Sequence, residues 1–122
     1  MAALFARSSL AITGLLVLAA AAACRPALPP SKPLAELSSQ ETSGYQVYRA
    51  ACAGCHYPNS EGTLRGPGLH GLYKKQYLPS GAPANDDRVR ATILGGRNMM
   101  PPFQAKLEEQ QVQDLLAYLH TL

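Results

Sequence analysis

An all-α fold of three to five short helices is predicted by three features of this 122-residue sequence. Apolar residues recur at helical spacing in two places, Gly44, Val47, Tyr48 and Ala51 in one and Val112, Leu115, Leu116 and Leu119 in the other, so each segment offers one stripe for burial. A third segment, PANDDRVRATILGG, carries helix punctuation. Asn85 is placed to cap it, Asp86 and Asp87 complement the dipole in its first turn, Val89 and Ile93 share a face, and Gly95 or Gly96 ends it. The intervening sequence lacks strand alternation, and ten Gly and ten Pro in the whole chain suggest a loop-rich fold. The length suits one domain.

Residues 1–23 read as a signal peptide. Arg7 charges a short leading region, and Leu10 to Ala23 form a 14-residue apolar run, short for a bilayer span but of signal-core length. The run ends in AAAC at Cys24, which resembles a bacterial lipoprotein signal whose Cys becomes the lipidated first residue. Ala21 stands where that signal usually carries Leu. A plain Ala-x-Ala cleavage site and an uncleaved anchor are the other readings. Either kind of cleavage exports the domain and, by removing Arg7, lowers the formal charge from +3 to +2. Residues 24–43 include four prolines and read as an extended linker holding the domain off a membrane, with folded sequence starting near Ser43–Gly44. The remaining domain, 44–122, is small enough that a bare apolar core is marginal. Eleven basic against eight acidic residues is too mild an excess to suggest nucleic acid.

CAGCH at 52–56 sets two thiols and an imidazole within five residues. Structural zinc needs a second pair of ligands, and the sequence has no second CxxC and no HxxxH. A thioredoxin-like CxxC needs a βαβ setting that is missing. The same pattern attaches c-type haem. On a helix, Cys52 and Cys55 emerge on one face about a turn apart, able to add across two vinyl groups on one porphyrin edge, with His56 turned over the iron. A covalent haem would also supply the missing core, leaving the apo chain largely unfolded.

The flanking sequence extends the motif. G-x-x-V-Y-x-x-x-C-x-x-C-H from Gly44, then G-P-x-L from Gly66, M-P-P-F from Met100 and D-L-L-x-Y-L from Asp114 together resemble the class I (mono-haem) c-type cytochromes over about residues 44–122. The resemblance implies one covalent haem c with its iron, thioethers at Cys52 and Cys55, and axial ligands His56 and Met100. It implies Gly44 and Tyr118 meeting where the first and last helices cross. It further implies a Pro67 carbonyl accepting from the His56 ring, and haem contacts from Tyr48 and Leu69. The loop LYKKQYLPSGAP is longer than a minimal member needs; its Tyr73 and Tyr77 are candidates for the haem edge or a propionate, or are surface tyrosines. The family's Met precedes Pro, which selects Met100 over Met99. A residue before Pro is also biased to extended backbone, and Pro101 and Pro102 bar a helix. His70 and His120 are the alternative sixth ligands, and His120 also suits a helix C-terminus. The final helix has Leu107-Glu108-Glu109 where the family often has a Ser/Thr cap.

Residues 60–106 hold seven basic and three acidic side chains, and 107–122 hold a net −3. Positive loops at a haem edge would steer an acidic partner; a mixed solvated surface is the plainer reading. The expected protein is an electron carrier and not an enzyme, working on the periplasmic side of a bacterial membrane, lipid-anchored or soluble. It passes single electrons to and from an oxidase, reductase or dehydrogenase, needs no oligomer, and has the fairly high potential of His/Met ligation. An open iron site would instead make a haem sensor, a ligand binder or an enzyme such as a peroxidase. Service as the cytochrome subunit of a larger oxidoreductase is a further reading.

Overall fold

The computed structural model describes residues 27–122. The signal segment and Cys24 lie outside the described residues. Three α-helices form, α1 (Ser39–Ala51), α2 (Asp86–Gly95) and α3 (Glu109–Leu119), with 3₁₀ turns at Leu34–Glu36 and Leu72–Lys74. Among the described residues there is no strand, only isolated bridges joining Tyr77 to Pro83 and Arg97 to Met100. No helix there is long and apolar enough to cross a membrane.

α1 starts before the expected Ser43–Gly44 boundary because Ser38 and Glu41 cap it reciprocally. The Glu41 N–H donates to Ser38 Oγ at 3.2 Å and the Ser38 N–H donates to the Glu41 carboxylate at 2.6 Å. Of the expected linker, residues 27–33 run without regular structure ahead of the 3₁₀ turn and are docked as a strap. The Lys32 N–H donates to Thr121 O at 2.8 Å, and His70 Nε2 donates to Pro29 O at 3.0 Å. Leu28 lies on Gly71, where a Cβ would come within 2.4 Å of Leu28 Cδ1. Composition pointed to a segment without regular structure, whereas the docking depends on partners some 40 to 90 positions further along the chain.

The core is the crossing of α1 and α3. Val47 and Tyr48 meet Val112, Leu115, Leu116, Tyr118 and Leu119, and Val89 and Ile93 of α2 complete the cluster with Leu122. Val112 and Leu115 are the largest fully buried side chains, worth about 1.5–3 kcal/mol each on transfer from water. The backbones touch at Gly44, where a Cβ would sit 1.9 Å from Asp114 O and 2.8 Å from Tyr118 Cβ. Tyr45 and Tyr48 each tilt against Tyr118 with ring centroids 5.4 Å apart.

α2 has the expected cap, with Asn85 Oδ1 accepting from the Arg88 N–H at 3.0 Å. Gly96 terminates it at φ 72°, its N–H donating to Thr92 O at 2.9 Å. α3 manages without Ser or Thr because the Gln111 side chain accepts from the Glu108 N–H at 2.9 Å. Arg90 of α2 pairs with Glu109 at the start of α3.

Candidate functional site

The thiols lie just past α1 rather than inside it, with Cys52 as its C-cap. The chain winds on for about one more turn, since the Cys55 and His56 N–H groups both donate to Cys52 O at 3.0 Å. Neither cysteine is in a disulfide, and both are half-buried. Burial pushes the Cys52 thiol up to about 11, helped by the nearby Cys55. Such a site disfavours a thiolate and suits an uncharged sulfur such as a thioether.

His56 is oriented from three directions. Its Nδ1 lies 2.8 Å from Pro67 O. A carbonyl only accepts, so Nδ1 carries the proton and the Nε2 lone pair is left for a metal. Gly66 makes room for the ring, because a Cβ there would lie 2.4 Å from His56 Cε1. The Tyr48 hydroxyl donates to His56 O at 2.6 Å. The Arg65 and Gly66 N–H groups fold the following loop back onto Cys55 O at 3.2 and 2.8 Å. Sequence reasoning gave Gly66 no role. Its only signal was its place before Pro67 in a loop that returns to the histidine.

The second sulfur-bearing segment follows α2. A tight turn closes through the Arg97 N–H to Met100 O at 3.0 Å and the Met100 N–H to Arg97 O at 2.8 Å. Phe103 and Gln104 tie it back to Ile93 O and Leu94 O at 3.1 and 3.2 Å. Met99 sits at the turn's tip, 87% exposed, while Met100 is half-buried against the core. Leu69 also packs there, its N–H donating to Tyr57 O at 2.9 Å.

The other candidates make contacts of their own within the fold. Tyr48 spends its hydroxyl on the His56 carbonyl and its ring on Tyr118. Tyr73 stacks on His120 at 3.7 Å between centroids, and His120 Nε2 is 2.8 Å from Asp86 Oδ1. Burial first, then the nearby Asp86, raises the Tyr73 pKa; despite the cost of burial, the neighbouring Tyr73 and the His120 ring hold Asp86 below the usual carboxylate range. Tyr73 thus lies between the start of α2 and the end of α3. His70 faces Pro29, and Tyr77 is exposed.

The donor set fits haem c. Two free thiols stand a turn apart, an imidazole offers Nε2, and a half-buried thioether lies on another loop. Ala53, Leu69, Leu94, Phe103 and Leu107, like Cys52 and Met100, pack against the core while staying partly exposed, apolar surface of the kind a flat apolar ring would cover. Among the described residues no group of three or more His, Cys, Asp or Glu is arranged to hold a metal ion.

Known proteins are similar to this chain. The profile of the family described as cytochrome C oxidase, cbb3-type, subunit III matches residues 39–119. A cytochrome c6-like protein of a Nostoc species is 32% identical over 63% of this chain and 66% of its own length. A cytochrome c6 of Thermosynechococcus vestitus is 29% identical over 70% of this chain and 72% of its own. These alignments thus span about two thirds to three quarters of each relative. A solved cytochrome c6 from the diatom Phaeodactylum tricornutum is 29% identical, covering 65% of this chain and 88% of that one, with a TM-score of 0.47.

Proposed function

This chain belongs to the c-type cytochrome family described as cytochrome C oxidase, cbb3-type, subunit III, and carries one covalent haem c; from that premise we propose that it is a one-electron carrier with His56 and Met100 as axial ligands. When bound, the haem iron supplies the ferrous–ferric couple. Cys52 and Cys55 tether the ring, and the Pro67 carbonyl holds the His56 imidazole with Nε2 outward. Tyr48 anchors the main chain at His56, and the Arg97–Met100 turn holds the thioether.

The observation that carries this reading is that both ligand-bearing segments are fixed by main-chain bonds, His56 through Pro67 O at 2.8 Å and Met100 through Arg97 O at 2.8 Å. A ring and a turn held in this way would keep both donors in place through a change of oxidation state, as a carrier needs. The test is an optical spectrum of exported holoprotein with and without carbon monoxide. A reduced spectrum unchanged by carbon monoxide supports the carrier; a shifted Soret band would give the protein to the ligand binders. Met100→Ala should abolish the weak near-infrared sulfur-to-iron band and Met99→Ala should leave it, and the reverse pattern would exchange the two.

We further propose that the carrier works on the periplasmic side, lipid-anchored at Cys24, with redox proteins as transient partners. The docked strap bears on its reach. From Cys24 to Leu28 the chain is four residues, at most about 14 Å, so an anchored domain would sit close to the bilayer. Intact mass of the mature N-terminus decides the anchor. The oxidase-subunit name of the matching family favours one second reading, membership in a larger oxidoreductase; co-migration with a membrane complex after mild solubilisation would support it.

A further inference from the structure

We infer that Asn98 is a positioning residue that selects which of two adjacent methionine sulfurs faces inward; the inference rests on the reading of Met100 as axial ligand. Met99 and Met100 are chemically identical, so side-chain type cannot make the choice. The turn makes it. Arg97 and Met100 exchange both main-chain hydrogen bonds, N–H to O at 3.0 and 2.8 Å, leaving only Asn98 and Met99 at the tip. Closing so short a turn puts Asn98 at φ 51°, the only non-glycine residue with positive φ among those described. Asn tolerates that region and β-branched residues do not.

Gly96 fixes the turn's other side. At φ 72° it lies under the returning chain, where a Cβ would come within 2.6 Å of Met100 O and 2.8 Å of Pro102 N. The result is one register: Met99 is 87% exposed and Met100 is half-buried. Slipping the turn by one residue would exchange the two sulfurs and break both bonds to Arg97.

Asn98 is exposed, so its replacement leaves the helix crossing alone. The experiment compares ferric holoproteins of the wild type, Asn98→Gly, Asn98→Val and Met100→Ala. Two readouts are used, the near-infrared sulfur-to-iron band and titration with imidazole, which competes for the sixth position. Asn98→Val should bind imidazole about tenfold more tightly, because strain in the turn weakens its hold on Met100. Asn98→Gly should match the wild type, since Gly adopts positive φ freely. Far-UV melting of Asn98→Gly should match the wild type, and Asn98→Val should melt slightly earlier in the same single cooperative transition, by the strain of one residue. If Asn98→Val binds imidazole like the wild type while Met100→Ala loses the band, the turn does not select the sulfur and the inference falls alone. If Met100→Ala keeps the band, the ligand assignment falls and takes the inference with it.

Discussion

The α1–α3 crossing and the loops that follow it are held together differently. α3 alone supplies five buried residues, Val112, Leu115, Leu116, Tyr118 and Leu119. From Cys52 to Arg88 only Gly71 is buried, and from Gly96 to Glu108 none is. The crossing is maintained by side-chain packing, whereas the loops are maintained by main-chain bonds to Cys55 O, Pro67 O, Arg97 O and Ile93 O. Cys52, Cys55, His56 and Met100 all lie in the second half or at its border. A domain this small therefore has one part that packs on itself and one part shaped for a cofactor, and the two should fail separately.

Replacing both attachment residues, Cys52→Ala with Cys55→Ala, should produce the largest separation. The product should lack covalent haem by intact mass. Segment-resolved hydrogen exchange should show loops 57–85 and 96–107 near zero protection while α1 and α3 keep part of theirs. Loops as protected as in the holoprotein would break the comparison. Next is Gly44→Val, which attacks the other half. A side chain must enter where a Cβ already stands 1.9 Å from Asp114 O, a backbone atom that moves only if the helices part. The expected cost is about 3 kcal/mol, read as a lower denaturant midpoint at unchanged slope. The haem spectrum of the folded fraction should remain that of the wild type.

How much of this was legible in the sequence divides along the same line. The crossing could be read because its signals are local: a 3.6-residue stripe in each helix, and a glycine and a tyrosine whose meeting the family resemblance implied. Asn85 as a cap and Gly96 as a terminator are likewise written within a few residues. The attachment motif was legible because CAGCH is contiguous. The helix boundary was misjudged because the Ser38–Glu41 box sits inside a proline-rich, polar stretch that reads as linker. The strap's docking on Thr121 and the stacking of Tyr73 on His120 link residues far apart in sequence, and no periodicity announces them. Choosing Met100 over Met99 needed the family pattern at first; the turn that separates them shows only in three dimensions.

A smaller effect is expected where the two halves join. Tyr48 belongs to α1 by its ring and to the motif by its hydroxyl, which donates to His56 O. Tyr48→Phe keeps the packing on Tyr118 and removes that bond, for a loss of about 1 kcal/mol. The loss should appear as faster exchange around residues 55–57 with α1 unaffected; equal loosening along the whole helix would mean the hydroxyl has no local role.

The smallest expected effect tests whether the strap belongs with the packed half or the hydrogen-bonded half. Its side-chain ion pair is Lys32 Nζ with Glu41 Oε2 at 2.7 Å, near the start of α1. The Lys32 side chain first, then the Ser38 N–H, holds the Glu41 carboxyl below its ordinary value. A carboxylate whose folded pKa is depressed stabilises above its unfolded pKa and loses that contribution as pH falls through the folded one. Protection of the Lys32 amide, which donates to Thr121 O, should thus hold steady from neutral pH to the ordinary glutamate range and decline below it. The pair is solvent-accessible and screened, so its worth is at most about 1 kcal/mol. Glu41→Gln should lower protection at neutral pH and flatten the acid decline, and added salt should act in the same direction on the wild type. If the variant retains the full decline, the ion pair is incidental and the strap is held by its main-chain bond and by Leu28 against Gly71, as the loops are.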